Sequence, residues 1–82
     1  AEVLVDVRGY ASANRIRIEG HALQRMRERG VAWRDLRHAL TSASRCSAAE
    51  RGRWRVEGAD LAGDDVTAIV VLEDGVVVVT VF

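Results

Sequence analysis

VTAIVVLEDGVVVVTVF, Val66 to Phe82, holds two runs rich in β-branched residues separated by Glu73, Asp74 and Gly75. Valine, isoleucine and threonine suit a pleated, packed surface, and Asp-Gly between two such runs is a strong hairpin signal. The stretch therefore reads as an antiparallel hairpin, Val66–Leu72 paired with Val76–Phe82, at the heart of a sheet. Neither run alternates with polar residues, so both faces of the hairpin are apolar and both call for cover. Helices supply one side; the other is open to a partner protein or to homodimerisation through the sheet.

Working outward, Arg53, Arg55 and Glu57 alternate with Trp54 and Val56, which predicts a third strand with one charged and one buried or stacked face. Gly58 and the Gly63–Asp65 turn separate it from the hairpin. The segment TSASRCSAAERG, Thr41 to Gly52, is small and polar and predicts a mobile loop. Before it, Trp33, Leu36, Ala39 and Leu40 recur at spacings of three and four, so residues 32–43 read as an amphipathic helix with Trp33 in the core. A second helix spans about Gly20 to Arg29, with Gly30 in the left-handed position after its last turn. Arg15, Ile16, Arg17 and Ile18 alternate as a short strand. Residues 1–14 carry Val3, Val5 and Val7 in alternation and then a small polar run, and read as an accessory strand or linker. The expected fold is α+β and two-layer, β-α-α-β-β-β, with two helices packed on an antiparallel sheet over residues 15–82.

Composition narrows the function classes. Eighty-two residues make one domain. The lone Cys46 forms no internal disulfide and, in a polar loop without a neighbouring base, is no nucleophile; no Cys/His spacing suggests a structural metal, and no cofactor is expected. No apolar run reaches the roughly 20 residues of a membrane span, so the expected domain is soluble. Net charge is zero, but the signs are segregated: Arg15 to Arg55 holds eleven arginines against four acids, whereas Val56 to Phe82 holds six acids and no base. All twelve cations are arginines, planar guanidinium forks suited to bidentate phosphate contacts. The plainer alternative is that the acidic segment folds back and neutralises the basic one.

The helix HALQRMRERG carries two stripes. Ala22, Leu23 and Met26 form an apolar one, while His21, Arg25, Glu28 and Arg29, at steps of four, seven and eight, point roughly the same way. Packing explains the first stripe. The second is where chemistry is sought.

HALQRMRERGV, a following amphipathic helix, RWRVEG (Arg53 to Gly58) and the closing GVVVVTVF together resemble the small bacterial family catalogued as domain of unknown function 4258, over roughly residues 15–82. The family pattern falls on His21, Arg25, Arg29, Gly30, Arg55, Gly58 and Thr80. Phe82 stands where the family often has Tyr or Trp. That family is grouped with RelE-like, barnase-like and colicin-like ribonuclease toxins. The resemblance thus implies a RelE-like RNA-cleaving toxin or effector domain, cytoplasmic beside an antitoxin or delivered at the end of a larger secreted protein, with a cognate immunity protein or antitoxin as partner.

The residues supply the types that metal-free RNA cleavage needs: a base for the 2′-hydroxyl, cations for the phosphorane charge and an acid for the leaving oxygen. His21 serves as base or acid, Glu28 is the alternative base, and Arg25, Arg29, Arg53 and Arg55 are candidate phosphate contacts. Thr80, the one hydroxyl in its run, is a candidate hydrogen-bond donor from the sheet. Trp54, flanked by arginines, is a candidate stacking platform, although a large aromatic in so small a domain reads more naturally as core. His38 reads as a surface residue. A second class of function remains, a non-catalytic module that grips a protein through its arginine stripe and apolar sheet face.

Overall fold

In the computed structural model, which describes residues 2–82, the chain runs α1 (Glu2–Ser12), β1 (Ile16–Ile18), α2 (Gly20–Arg29), α3 (Trp33–Thr41), β2 (Arg45–Ala48), β3 (Trp54–Ala59), β4 (Asp65–Leu72) and β5 (Val76–Val81). A short 3-10 turn covers Glu50–Gly52. The strands form one sheet in the order β1-β5-β4-β3-β2, antiparallel throughout except where β1 lies parallel to β5. Helices pack on this sheet as an α+β fold, with two additions to the expected order, α1 and β2, and one parallel pair.

The hairpin forms around Glu73–Gly75. Asp74 takes a left-handed φ of 55°, and the Glu73 amide donates to the Gly75 carbonyl at 3.0 Å. What the uniform valine run conceals is a bulge: Val70 pairs with Val78 but Ile69 pairs with Thr80, so Val79 is the extra residue. The shift of one residue swaps faces beyond it. Val76, Val78 and Val81 consequently join the main core, and Thr80 turns to the opposite face beside Ile69.

Residues 2–12 correct the strand-or-linker reading. Val3, Leu4, Val7, Tyr10 and Ala11 recur at helical spacing, with Val7 and Ala11 wholly buried and Val5 left in solvent. The alternation of Val3, Val5 and Val7 was one projection of a helix. Arg8 ties α1 to the rest, its Nε donating to the Ala43 carbonyl at 2.8 Å. The segment 41–52 is likewise no free loop. Its Arg45–Ala48 piece pairs with Trp54–Glu57 as an edge strand, a position that asks for no apolar alternation because only one face and one edge are covered.

The core centres on α3, where Leu36, Ala39 and Leu40 are buried against β3 and its neighbours. Trp33 does not join them: it opens α3 at 43% exposure, a correction that follows from its place at the helix end. Leu36, wholly buried, is with Leu40 one of the two largest fully buried side chains. Leu36→Ala is expected to cost about 2–5 kcal/mol, read as a drop in the urea midpoint. A change under about 1 kcal/mol would mean that α3 is not the packing centre.

Gly30 holds the left-handed position predicted for it, φ 68°, and its amide donates to the Arg27 carbonyl. The next amide, Val31, closes on Met26 at 2.8 Å. Both terminate α2 where the sequence places the stop.

Candidate functional site

Alternation along β3 sends Trp54 and Val56 toward the helices and Arg53, Arg55 and Glu57 to the other face of the sheet. Register extends that face in rows: Arg53 stands opposite Val71, which pairs with Val77 and, beyond it, Arg17; Arg55 pairs with Ile69, which pairs with Thr80, and with Ser47 on its other side. Among the described residues, no helix covers this open face. Val77 is nevertheless only 4% exposed and lies outside the main core cluster, because it sits at the floor of a cleft.

That cleft, about 450 Å³, is lined by Glu19, Gly20, His21, Arg53, Glu73 and a floor of Val71, Val77 and Val79. Its geometry follows from the end of β1. After Ile18 the chain leaves the sheet, the Glu19 amide closes on the Val78 carbonyl at 3.0 Å, and α2 starts at Gly20, which brings Glu19 and His21 to the edge of β5. Arg53 immediately precedes β3, three strand spacings from the β1 line that carries Glu19, so the backbone walls stand roughly 14 Å apart. Side chains from both walls line that span, and a phosphate and its sugars fit between them.

The charged groups divide by what they already hold. Glu73 pairs with Arg17 at 3.2 Å and Asp74 with Arg15 at 2.7 Å, both fastening β1 to the hairpin turn. Asp60 accepts from the Ala62 and Asp64 amides and so shapes the β3–β4 turn. These acids of the C-terminal segment are therefore occupied at the ends of the sheet. Among the described residues, Arg45, Arg53 and Arg55 form no ion pair and no side-chain hydrogen bond. Glu19, which precedes α2 in an extended conformation, makes no side-chain cap bond.

The α2 stripe is less unified than its spacing suggests. His21 reaches the cleft, but Arg25, Glu28 and Arg29 are not among the residues that line it. Glu28 and Arg29 stand about 10–12 Å further along the helix axis. Glu28 accepts from Gln24 and sits 3.5 Å from Arg25, whose Nε is buried without a partner. Trp54 packs half-buried against the core on the face opposite Arg53, which removes it as a partner for that arginine. Thr80 and Arg55 share the open face one row from the cleft, with Ile69 between them. His38 is no free surface group: it is partly buried, its Nδ1 2.9 Å from the Ala59 carbonyl, joining α3 to the end of β3. Burial pushes the Cys46 thiol up from its ordinary value, which disfavours the thiolate there.

Glu19 and Glu73 escaped the sequence reading. Glu19 was legible in principle, as a carboxylate two residues before a histidine at a strand-to-helix corner. Glu73 reaches the cleft only through the hairpin's position beside β1.

Among the described residues no cluster of three or more His, Cys, Asp or Glu is placed to hold a metal ion, and no helix is long and apolar enough to cross a membrane. No protein-family model, curated protein or solved structure matches the chain.

Proposed function

We propose that the domain is a ribonuclease-type toxin or effector whose cleft cleaves RNA with side chains alone. The observation that carries this reading is one arrangement: His21 and Glu19 on one wall, Arg53 with an unpaired guanidinium on the other, across a valine floor. Proton transfer needs two groups, and His21 and Glu19 supply them. One takes the proton of the 2′-hydroxyl as its oxygen bonds to phosphorus; the other gives a proton to the 5′-oxygen as the P–O5′ bond breaks. The products are a 2′,3′-cyclic phosphate and a 5′-hydroxyl. Arg53 offers a fork to the non-bridging oxygens, where negative charge grows in the transition state. Under this reading an acidic immunity protein or antitoxin covers the arginines of the open face, and the domain acts beside its antitoxin or after delivery within a larger protein.

Incubation with total RNA and a structured tRNA in EDTA tests it. Fragments ending in 2′,3′-cyclic phosphate are expected from the wild type and not from His21→Ala. Intact RNA in both lanes would overturn the reading. The valine floor favours a second one, docking of a protein on the same face, and salt separates the two. Phosphate-driven binding weakens steeply with ionic strength, and apolar docking does not.

A further inference from the structure

We propose that Phe82, backed by Arg55, is a stacking platform for a base of single-stranded RNA running across the open face from the His21–Arg53 cleft. The proposal rests on the ribonuclease reading for its ligand and adds a substrate class and a subsite to it.

Four aromatic residues exist in the chain, and three belong to the helix side of the sheet. Trp54 and Tyr10 pack against the core from the helix side, and Trp33 opens α3. Phe82 alone joins the open face. Its amide donates to the Thr67 carbonyl at 2.8 Å, continuing the β4–β5 ladder past Val81, so the residue is fixed to the sheet although its side chain stays 48% exposed. The Arg55 guanidinium lies 5.8 Å from the ring centroid. A cation on one face of a phenyl ring is held by the ring's quadrupole and orients it. With the side chain 48% exposed, ring surface remains for a flat ligand.

Position selects the ligand. Phe82 lies one row beyond Thr80 and two beyond Arg53, which is about 7–13 Å along the sheet from the cleft. Arg55 flanks the path with an unpaired guanidinium group, and Arg45, also unpaired, lies further out in the row that holds Glu57 and Thr67. Cations spaced along a face beside an exposed aromatic match a polyanion that also carries π surfaces, which a nucleic acid does and an acidic peptide does not. Stacking on Phe82 requires a base splayed out of a helix, so a duplex gains nothing from the ring.

Binding of uncleavable 2′-O-methyl oligonucleotides by fluorescence anisotropy tests this without relying on catalysis. Phe82→Leu keeps an apolar side chain and removes the π face; Phe82→Trp keeps both. Single-stranded binding is expected to weaken roughly 5- to 100-fold in Phe82→Leu and to be retained in Phe82→Trp. Duplex binding of the same sequence is expected to be unmoved. Equal single-strand affinity in wild type and Phe82→Leu would overturn the platform, even if wild type cleaves ordinary RNA. Phe82-dependent binding without cleavage would support the platform while the ribonuclease reading fails. Binding that polyglutamate displaces and Phe82→Leu does not affect would mark an acidic-protein surface and overturn it, as would no binding at low salt.

Discussion

Gly58→Ala is expected to destabilise the domain by about 3 kcal/mol, at the upper end of overpacking costs. For a domain of this size that corresponds to a fall in Tm of roughly 12–24 °C. A Cβ built on Gly58 falls 2.1 Å from the Ala39 carbonyl oxygen and 2.9 Å from its carbon, both backbone atoms of α3. No rotamer relieves that contact; α3 and β3 must separate, and Leu36 and Leu40 loosen with them. Gly9→Ala is the matched control. Gly9 lies mid-α1, and a methyl group added there meets nothing within 4 Å, so alanine is expected to stabilise by about 1 kcal/mol through helix propensity. Thermal unfolding followed by circular dichroism reads both. A Gly58→Ala protein that melts within about 2 °C of wild type would show that the α3–β3 contact is not close.

The same glycine shows why a motif and a mechanism are different things. Gly30 and Gly58 belong to the pattern shared with the family resemblance, and the structure gives each a backbone reason: a left-handed helix stop and a close helix–strand crossing. Neither reason concerns catalysis. Arg25 and Arg29 belong to the same pattern, but helical spacing alone placed them with His21. Three-dimensional context separates them, since a stripe two turns long passes the mouth of a cleft at only one point.

Local patterns were legible where one periodicity dominated. The hairpin, α2 with its Gly30 stop, and the charged face of β3 all come from windows with a single reading. Residues 2–12 failed because Val3, Val5 and Val7 satisfy a strand alternation while Val3, Val7 and Tyr10 satisfy a helix, and only burial against α3 chooses between them. β2 failed for the opposite reason, since an exposed edge strand of Arg, Cys, Ser and Ala has little pattern to read. The bulge at Val79 was invisible in a run of four valines, yet it decides that Thr80 faces outward. The cleft joins residues 19–21, 53, 71, 73, 77 and 79, and only the strand order β1-β5-β4-β3 makes them neighbours.

Within that cleft, His21→Ala is expected to lower RNA cleavage by about 10²–10⁴-fold, the usual worth of a general acid or base. Arg53→Ala should cost about 10²–10³-fold if its fork meets the charge that develops on phosphorus. Arg53→Lys should recover only part of this, because an ammonium offers a point charge where a planar fork made two bonds. Glu19→Gln preserves shape and hydrogen bonding while removing proton transfer, so a loss similar to that of His21→Ala is expected if the two act as a pair. Combining both changes should then add little, since groups that act as a unit are not additive. Arg29→Ala and Glu28→Ala, two turns along the helix, are expected to stay within about threefold of wild type, as surface substitutions away from the site do. Single-turnover cleavage of a short labelled RNA separates these cases, with unfolding curves confirming that each variant is folded. The decisive contrast is Arg53 against Arg29. If Arg29→Ala is the more damaging, the substrate follows the helix stripe rather than the valine floor, and the open-face site is wrong.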